Sequence, residues 1–264
     1  MSLEAALANA NASVREVVEA LGERERIDVA GVPPGALDWV LAEGARKNPN
    51  AKLVVIAPTL EDAYRQESNL RFFLADPGGD VLLYAASDTS PLLDVVPDRR
   101  AEMQRMATLA RLAEESDWRV LIVPAAALPR RVPPRNYVQS NLITLARGLT
   151  LEREELVQRL SSLGYLRVPL VEDRGTFSAR GAIVDVYAPD SPLPCRIELD
   201  DDEVSRIRWF DPDDQKTSGE VEQVQLGPTR EDLALQAPSA RNDEPRVRTL
   251  VDDLPRRVEQ VAEV

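Results

Sequence analysis

The absence of histidine from all 264 residues limits the chemistry open to this chain. Without an imidazole there is no Ser-His-Asp or Cys-His nucleophile and no histidine metal ligand, which removes the mechanisms of most hydrolases. The single cysteine, Cys195, lies in an apolar strand-like run beside Arg196. It could be an activated thiolate, but a small packed hydrophobe is the ordinary role of such a residue. We therefore expect no catalytic residue and no metal site.

A phosphate-binding loop is the second chemistry to consider, because a segment rich in glycine and proline comes directly after the strand-like run Ile27–Ala30. A working loop needs consecutive backbone N–H donors, a lysine for the β- and γ-phosphates and a hydroxyl for Mg²⁺. Here two prolines donate nothing, a leucine takes the lysine position, and an aspartate would repel phosphate. We interpret the segment as a degenerate P-loop that binds no nucleotide cofactor. Its residues are Gly31, Pro33, Pro34, Gly35, Leu37 and Asp38.

The charge balance disfavours general binding to nucleic acid, since 45 acidic against 32 basic side chains give a formal net charge of −13. Such a field repels a phosphate backbone. Two alternatives stay open. One is a nucleic-acid-binding module that uses a local patch of Arg130, Arg131 and Arg135. The other is a UvrB-like ATPase or helicase fragment, although no Gly-Lys-Ser or Gly-Lys-Thr triplet occurs in the chain.

The compartment is indicated by cysteine usage and by the absence of long apolar runs. One cysteine permits no internal disulfide, as is usual in a reducing compartment. No window approaches 18 consecutive apolar residues, and no basic segment followed by an apolar run opens the chain. We expect a cytoplasmic protein.

The elements that must position these residues change character near residue 145. Residues 1–145 alternate short apolar runs with amphipathic helices, the pattern of an α/β domain with a parallel sheet. One helix should begin at Thr59, with Asp62 completing a cap, and another should follow Asp98. The predicted strands are Ile27–Ala30, Leu53–Ala57, Val81–Tyr84 and Val120–Val123. We assign residues 1–145 to a degenerate P-loop-like α/β domain.

Residues 146–228 indicate an inserted α+β domain with an antiparallel sheet and a leading helix packed across it. The helix should bury Leu156, Leu160 and Leu163, and the acidic runs Asp200–Glu203 and Asp211–Asp214 are expected to be solvated turns. The predicted strands are Leu166–Val171, Thr176–Arg180, Ile183–Tyr187, Arg196–Leu199, Val204–Phe210 and Val221–Leu226. Residues 229–264 should form a polar linker and, from Arg248, the start of a helical segment.

Three strings in the second domain carry a specific resemblance: DRGTFSARGAIVDVY at 173–187, LPCRIELDDDE at 193–203 and IRWFDP at 207–212. Together they resemble the UvrA-binding domain shared by UvrB excision-repair proteins and the transcription-repair coupling factor (Mfd) family. Proteins of the UvrB type keep an intact P-loop in the first domain, whereas this chain has lost it. The resemblance is therefore to the N-terminal, UvrB-homologous module of the coupling factors.

This resemblance implies a protein-binding module that recruits UvrA for nucleotide excision repair at stalled RNA polymerase. It implies contacts to UvrA at Arg180 and Arg196, and at Asp200 where the family has an aromatic residue. From the order of the strands we expect the two arginines in neighbouring strands on one exposed surface, with guanidinium groups free to bind a carboxylate. The resemblance also implies that other domains of a longer parent protein are partners of this module. RNA polymerase and DNA would be bound only by regions outside this chain, and only the parent protein would be an ATP-dependent DNA translocase.

Overall fold

The computed structural model describes residues 14–21, 26–76, 79–85, 98–114, 118–231 and 248–249. The chain divides into two compact units, one of residues 1–86 with 117–128 and one of residues 87–116 with 129–264. The first contains a parallel sheet and the second a largely antiparallel one, so the predicted mixed α/β class is confirmed. The domain limits proposed from composition stay predictions.

A three-stranded parallel sheet forms the core of the first unit, in the order β1–β3–β2. Its strands are β1 (Leu53–Ala57), β2 (Val81–Leu83) and β3 (Val120–Pro124). The central strand pairs on both sides, and all five of its residues are buried. A strand covered on both faces has no use for polar residues, which explains the uninterrupted VLIVP sequence. These three predicted strands are confirmed.

Three helices accompany this sheet: residues 14–21 (α1), Pro34–Lys47 (α2) and Leu60–Leu74 (α3). The predicted cap of α3 is present, since the Thr59 hydroxyl accepts a hydrogen bond of 3.0 Å from the backbone N–H of Asp62. Ala63 and Leu70 on the same helix are fully buried in the core of the sheet. Helix α3 thus turns one face toward the core of the sheet.

The strand predicted at Ile27–Ala30 is wrong, because residues 26–30 have no regular structure and are mostly exposed. The segment after it begins a helix and does not form an open loop. Pro33 is the N-cap of α2 and Pro34 its first residue, the position where a fixed φ and a missing N–H suit a helix. The P-loop-like fold, which required a strand before this segment, is not confirmed.

The second unit is organised by a six-stranded sheet in the order β11–β10–β9–β8–β7–β6. Its strands are β6 (Leu166–Arg167), β7 (Thr176–Arg180), β8 (Ile183–Tyr187), β9 (Cys195–Asp200), β10 (Glu203–Phe210) and β11 (Thr217–Glu220). All neighbouring pairs are antiparallel except β6 with β7, which are parallel. The predicted antiparallel sheet is confirmed, whereas the first strand is shorter than predicted and β11 was not predicted.

Helix α6 (Arg153–Ser162) covers one face of this sheet. Leu156 and Leu160 are fully buried in one cluster with Phe177, Val184 and Ile197 from the three central strands. The helix predicted to pack across the sheet is therefore confirmed. The strand predicted at 221–226 does not join the sheet, because β12 (Gln223–Leu226) pairs with β5 (Ile143–Ala146).

Helix α4 (Arg99–Ala113) also belongs to the second unit, and α5 (Arg135–Ser140) comes after it in the chain. Helix α4 follows Asp98 as predicted, with the Asp98 carboxylate as its N-cap, and the Arg99 guanidinium donates to the carbonyls of Gly164 and Gly175. Thr229 is buried, and its N–H and hydroxyl both donate to the Leu163 carbonyl. The chain is thus still anchored to the unit at the start of the predicted linker.

Two short strands complete the description: β4 (Arg131–Val132) and β13 (Arg248–Thr249) pair antiparallel. The helix predicted from Arg248 therefore does not include these two residues. The remainder of that predicted segment, and residues 232–247 of the predicted linker, lie outside the described residues.

Candidate protein-binding surface

The sheet face opposite α6 carries a row of polar side chains. Along β9 the apolar Cys195, Ile197 and Leu199 are buried, while the alternate residues Arg196, Glu198 and Asp200 are more exposed. Because side chains alternate between the faces of a strand, these three polar residues share one face. Strand register then extends a row of directly opposed polar residues across the sheet: Ser178, Asp185, Arg196, Arg208 and Glu220.

Asp185 is the centre of this row. Its side chain is 1% exposed and lies in β8 between the buried residues Val184 and Val186. Its Oδ1 accepts a 2.7 Å bond from Arg196 Nε, and its Oδ2 accepts bonds of 3.0 Å from Arg196 Nη2 and 3.1 Å from Arg180 Nη2. One carboxylate therefore binds two guanidinium groups, one of them in the bidentate geometry that arginine favours.

Arg196 is held on two sides. Besides its bidentate bond to Asp185, its guanidinium carbon lies 4.9 Å from the ring centre of the buried Phe210, a cation–π contact. The hydrogen bond to Asp185 raises the pKa of Arg196 above its ordinary value. Only 17% of the side chain is exposed. The guanidinium is therefore fixed, with one edge left toward solvent.

Arg180 is the more accessible of the two arginines, with 54% of its side chain exposed. It is the last residue of β7, directly before a turn in which Gly181 has a positive φ of 58°. Register places it opposite Ile183, which in turn is opposite Glu198, so Arg180 shares the polar face. A half-exposed guanidinium with one internal bond retains most of its five donors for a ligand.

The expected placement of the arginines needs two corrections. They do not lie in neighbouring strands, because β8 runs between β7 and β9. Nor is the guanidinium of Arg196 unoccupied, since Asp185 already binds it. The expectation that both share one face of the sheet agrees with the register. An interposed strand is what allows one buried carboxylate to reach both arginines.

Asp200 ends β9 on the same face and is exposed. It opens the turn to β10, in which Asp201 has a positive φ of 50°. Both acidic runs are turns as predicted, and the second is closed by the Asp211 carboxylate, which accepts from the backbone N–H of Asp213. Among the described residues no group of carboxylates, cysteine or histidine is arranged to hold a metal ion.

Asp185 is the residue of this surface that sequence reasoning missed. A signal was available, because the residue is a single carboxylate in the otherwise apolar segment Ile183–Tyr187. A buried carboxylate must be paired or it shifts to its neutral form. The only basic residues in the neighbouring predicted strands were Arg180 and Arg196.

Cys195 is buried, and burial first, then the nearby charge of Asp185, raises its pKa to about 12. A thiol with such a pKa is neutral at physiological pH and is a poor nucleophile. The prediction that this cysteine is a packed hydrophobe is confirmed.

Of the residues of the predicted degenerate P-loop, only Asp38 is buried. Gly35, Leu37 and Asp38 are helical residues of α2. Asp38 is fully buried, and its Oδ2 accepts a 2.6 Å bond from Asn69 of α3. Gly31, with a positive φ of 73°, supplies the bend before the helix. The Asp38 carboxylate is thus buried at the position where phosphate binding would need hydrogen-bond donors.

The predicted basic patch is also partly committed to internal contacts. Arg135 donates from Nε and Nη2 to the Ala113 carbonyl, at 3.1 and 2.9 Å. The side chain of Arg131 lies outside the described residues. A guanidinium that satisfies the C-terminal end of a helix has a structural role.

Comparison with known families identifies the part of the chain that carries this surface. Residues 143–231 match the family described as the UvrB interaction domain. The matched region begins at the first residue of β5 and ends at Glu231, whose carboxylate binds the buried Arg105 of α4 at 2.8 Å. The matched region therefore includes the whole six-stranded sheet and its helix α6.

The chain is also similar to transcription-repair-coupling factors over most of its length. It is 35% identical to that of Myxococcus xanthus over 224 residues, which cover 83% of this chain and 18% of the relative. It is 33% identical to that of Escherichia coli K12 (68% and 15% covered) and 30% identical to that of Bacillus subtilis 168 (82% and 18%). The chain thus spans less than a fifth of the length of these relatives.

Within the described parts of the chain, no helix combines the length and the apolar composition needed to cross a bilayer.

Proposed function

We propose that this chain is the UvrA-docking module of a transcription-repair coupling factor, and that it recruits UvrA for nucleotide excision repair at stalled RNA polymerase. The observation that carries the proposal is the pair Arg180 and Arg196 on the open face of the UvrB interaction domain, held by the buried Asp185. Arginine forks are suited to bidentate binding of carboxylates on a partner protein. RNA polymerase and DNA would be engaged by other regions of a longer protein.

The chain itself is proposed to hydrolyse no nucleotide. Its only candidate phosphate segment lies in the first unit, where Pro33 and Pro34 begin a helix and Asp38 is buried against Asn69. A P-loop works by presenting backbone N–H groups and a lysine to the phosphates. The segment has no lysine, and two of its residues are prolines without an N–H, so we assign the module partner binding and no nucleotide hydrolysis.

The two arginines are expected to differ in what their removal does to the fold. Arg180 is half exposed and makes one bond to Asp185, so Arg180→Ala should cost little folding stability. Arg196→Ala would remove two of the three bonds to a buried carboxylate, and breaking a buried ion pair typically costs about 3–5 kcal/mol. Arg180→Ala is therefore the cleaner test of the surface.

The test is isothermal titration calorimetry of the chain with UvrA. Arg180→Ala should weaken binding by about 1–3 kcal/mol, or roughly 5- to 150-fold, the range for a charged hydrogen bond at an interface. Arg159→Ala is the matched control. Arg159 is 52% exposed and pairs with Glu155, but it lies on α6, which covers the opposite face of the sheet. Both variants should keep the parental melting temperature.

Equal affinities of the parent and of Arg180→Ala would contradict the assignment of this face. Asp200→Phe adds a separate arm, because the resemblance expects an aromatic residue where this chain has an exposed aspartate. If UvrA retains a pocket for an aromatic side chain, that variant should bind as tightly as the parent or more tightly.

A further inference from the structure

One buried carboxylate organises both arginines of the proposed UvrA-binding face. Asp185 lies in β8, with Arg180 on the strand at one side and Arg196 on the strand at the other. Its Oδ2 accepts from both guanidinium groups, at 3.1 and 3.0 Å, and its Oδ1 accepts from Arg196 Nε at 2.7 Å. Two like charges brought to one oxygen would repel each other without the carboxylate between them.

The position of Asp185 is costly for the fold. Its side chain is 1% exposed, it stands between two buried valines, and well-packed apolar residues often stabilise such sites better than ion pairs do. The Arg196 guanidinium lies 4.9 Å from the ring centre of the buried Phe210, so the pair occupies an otherwise apolar site. Folding stability alone therefore does not explain why a carboxylate occupies this position.

The three side chains together leave one net positive charge at the surface, with defined donors. Within the described residues the Arg180 guanidinium bonds only to Asp185, through Nη2, so its Nε and Nη1 donors have no protein acceptor there. An arginine whose geometry is fixed in advance loses less conformational entropy when it binds. A carboxylate on a partner protein is the group that such a fork receives bidentately.

We infer that Asp185 is the positioning residue of this surface, holding Arg180 and Arg196 in the geometry that receives a carboxylate of UvrA. The inference rests on the proposed function and names a residue that touches the partner only through the arginines. Its role is to fix two donors in place, and its own charge opposes the binding of an acidic group.

Because the negative charge of Asp185 opposes an acidic partner, the charge effect and the positioning effect of its removal change the affinity in opposite directions. Asp185→Asn makes the surface more positive by one charge while preserving the shape of the side chain. If charge alone decided affinity, a carboxylate partner should bind this variant more tightly. If Asp185 positions the arginines, binding should weaken by about tenfold or more, because the lost bonds are charge-assisted. Calorimetry with UvrA, alongside melting temperatures, separates these results, and affinity equal to or above that of the parent would overturn the inference.

A second variant keeps the test decisive if Asp185→Asn folds poorly. Arg196→Lys preserves the charge but cannot form the bidentate bond to Asp185. Positioning predicts a loss of affinity comparable with that of Asp185→Asn, whereas retained affinity in a folded Arg196→Lys would contradict it. The affinity for UvrA is also measured for both substitutions in an Arg180→Ala background. A residue that only stabilised the fold would have the same effect on affinity in both backgrounds. The effect of Asp185→Asn should shrink in the Arg180→Ala background, since coupled residues are not additive.

The outcomes also separate this inference from the function on which it rests. If the parent chain fails to bind UvrA, or if Arg180→Ala binds as well as the parent, the proposed function or its surface is wrong. If Arg180→Ala weakens binding while Asp185→Asn does not, the surface stands and the positioning role of Asp185 is wrong.

Discussion

Gly175→Ala tests how closely helix α4 packs on the UvrB interaction domain. Gly175 has a positive φ of 72°, and its own N–H donates to the Tyr187 carbonyl at 2.7 Å. A methyl group at this position would overlap Met103 Sδ and lie 3.1 Å from Arg99 Nη2, both on α4. The substitution therefore combines a backbone conformation that is unfavourable for alanine with a steric overlap.

The two costs can be separated by a matched control. An alanine in the left-handed region costs about 1–2 kcal/mol, and inserting a methyl group into a packed contact typically costs about 1–3 kcal/mol more. Since Met103 has a flexible side chain that can partly adapt, we expect Gly175→Ala to lower the free energy of unfolding by about 2–4 kcal/mol. Gly181→Ala, at a φ of 58° with open space around its Cβ, should cost only the first part, about 1–2 kcal/mol.

Native-state hydrogen exchange measured by mass spectrometry on peptides from β8 and β9 reports the unfolding free energy of this unit directly. Because Met103→Ala removes a buried side chain and is destabilising by itself, the reference for the double variant is Met103→Ala alone. In that background Gly175→Ala should cost only about 1–2 kcal/mol, as Gly181→Ala does, because the overlap is absent. Equal costs for Gly175→Ala and Gly181→Ala would refute the close contact with α4.

Three other predictions concern chemistry and pH. Because burial raises the pKa of Cys195 to about 12, the thiol should not react with a soluble disulfide reagent at pH 8 until urea unfolds the chain. With Asp38 buried at the start of α2, millimolar Mg-ATP should leave the melting temperature unchanged, since a ligand stabilises only if it binds the native state. The Thr59 hydroxyl bond to Asp62 holds the pKa of that carboxyl below its ordinary value, so its stabilisation is present above that value and is lost as the pH falls through the lowered pKa. Thr59→Ala should raise the pKa of Asp62 toward normal in an NMR titration and weaken the α3 cap by about 1 kcal/mol.

Much of the fold could be predicted where local sequence and tertiary demand agree. The apolar run Val120–Val123 becomes a central strand because both of its faces are covered, and the Thr59 cap forms because its partner is three residues away. The strands Thr176–Arg180 and Ile183–Tyr187 were predicted with the limits that the structure has, since a glycine with positive φ separates them.

Prediction failed where the deciding interactions are distant in sequence. Ile27–Ala30 has strand-like composition but finds no partner strand among the described residues. The edge strand β11 has the sequence TSGE, in which all four residues are exposed, so no apolar alternation announces it. Its pairing with β10 alone makes it a strand.

The partner-binding surface combines both situations. Alternation along β9 is enough to place Arg196 and Asp200 on the face opposite the buried Ile197 and Leu199. The bond between Arg196 and Asp185 depends instead on register across two strands joined by a loop, and a shift by one residue would turn the carboxylate into the core. Residues 151–232 carry ten basic and nineteen acidic side chains, so the domain as a whole repels an acidic partner. Affinity for a carboxylate must then come from a few guanidinium donors held in fixed positions. Asp185 holds these donors in place, and because it is buried it does not present its own charge directly to the partner.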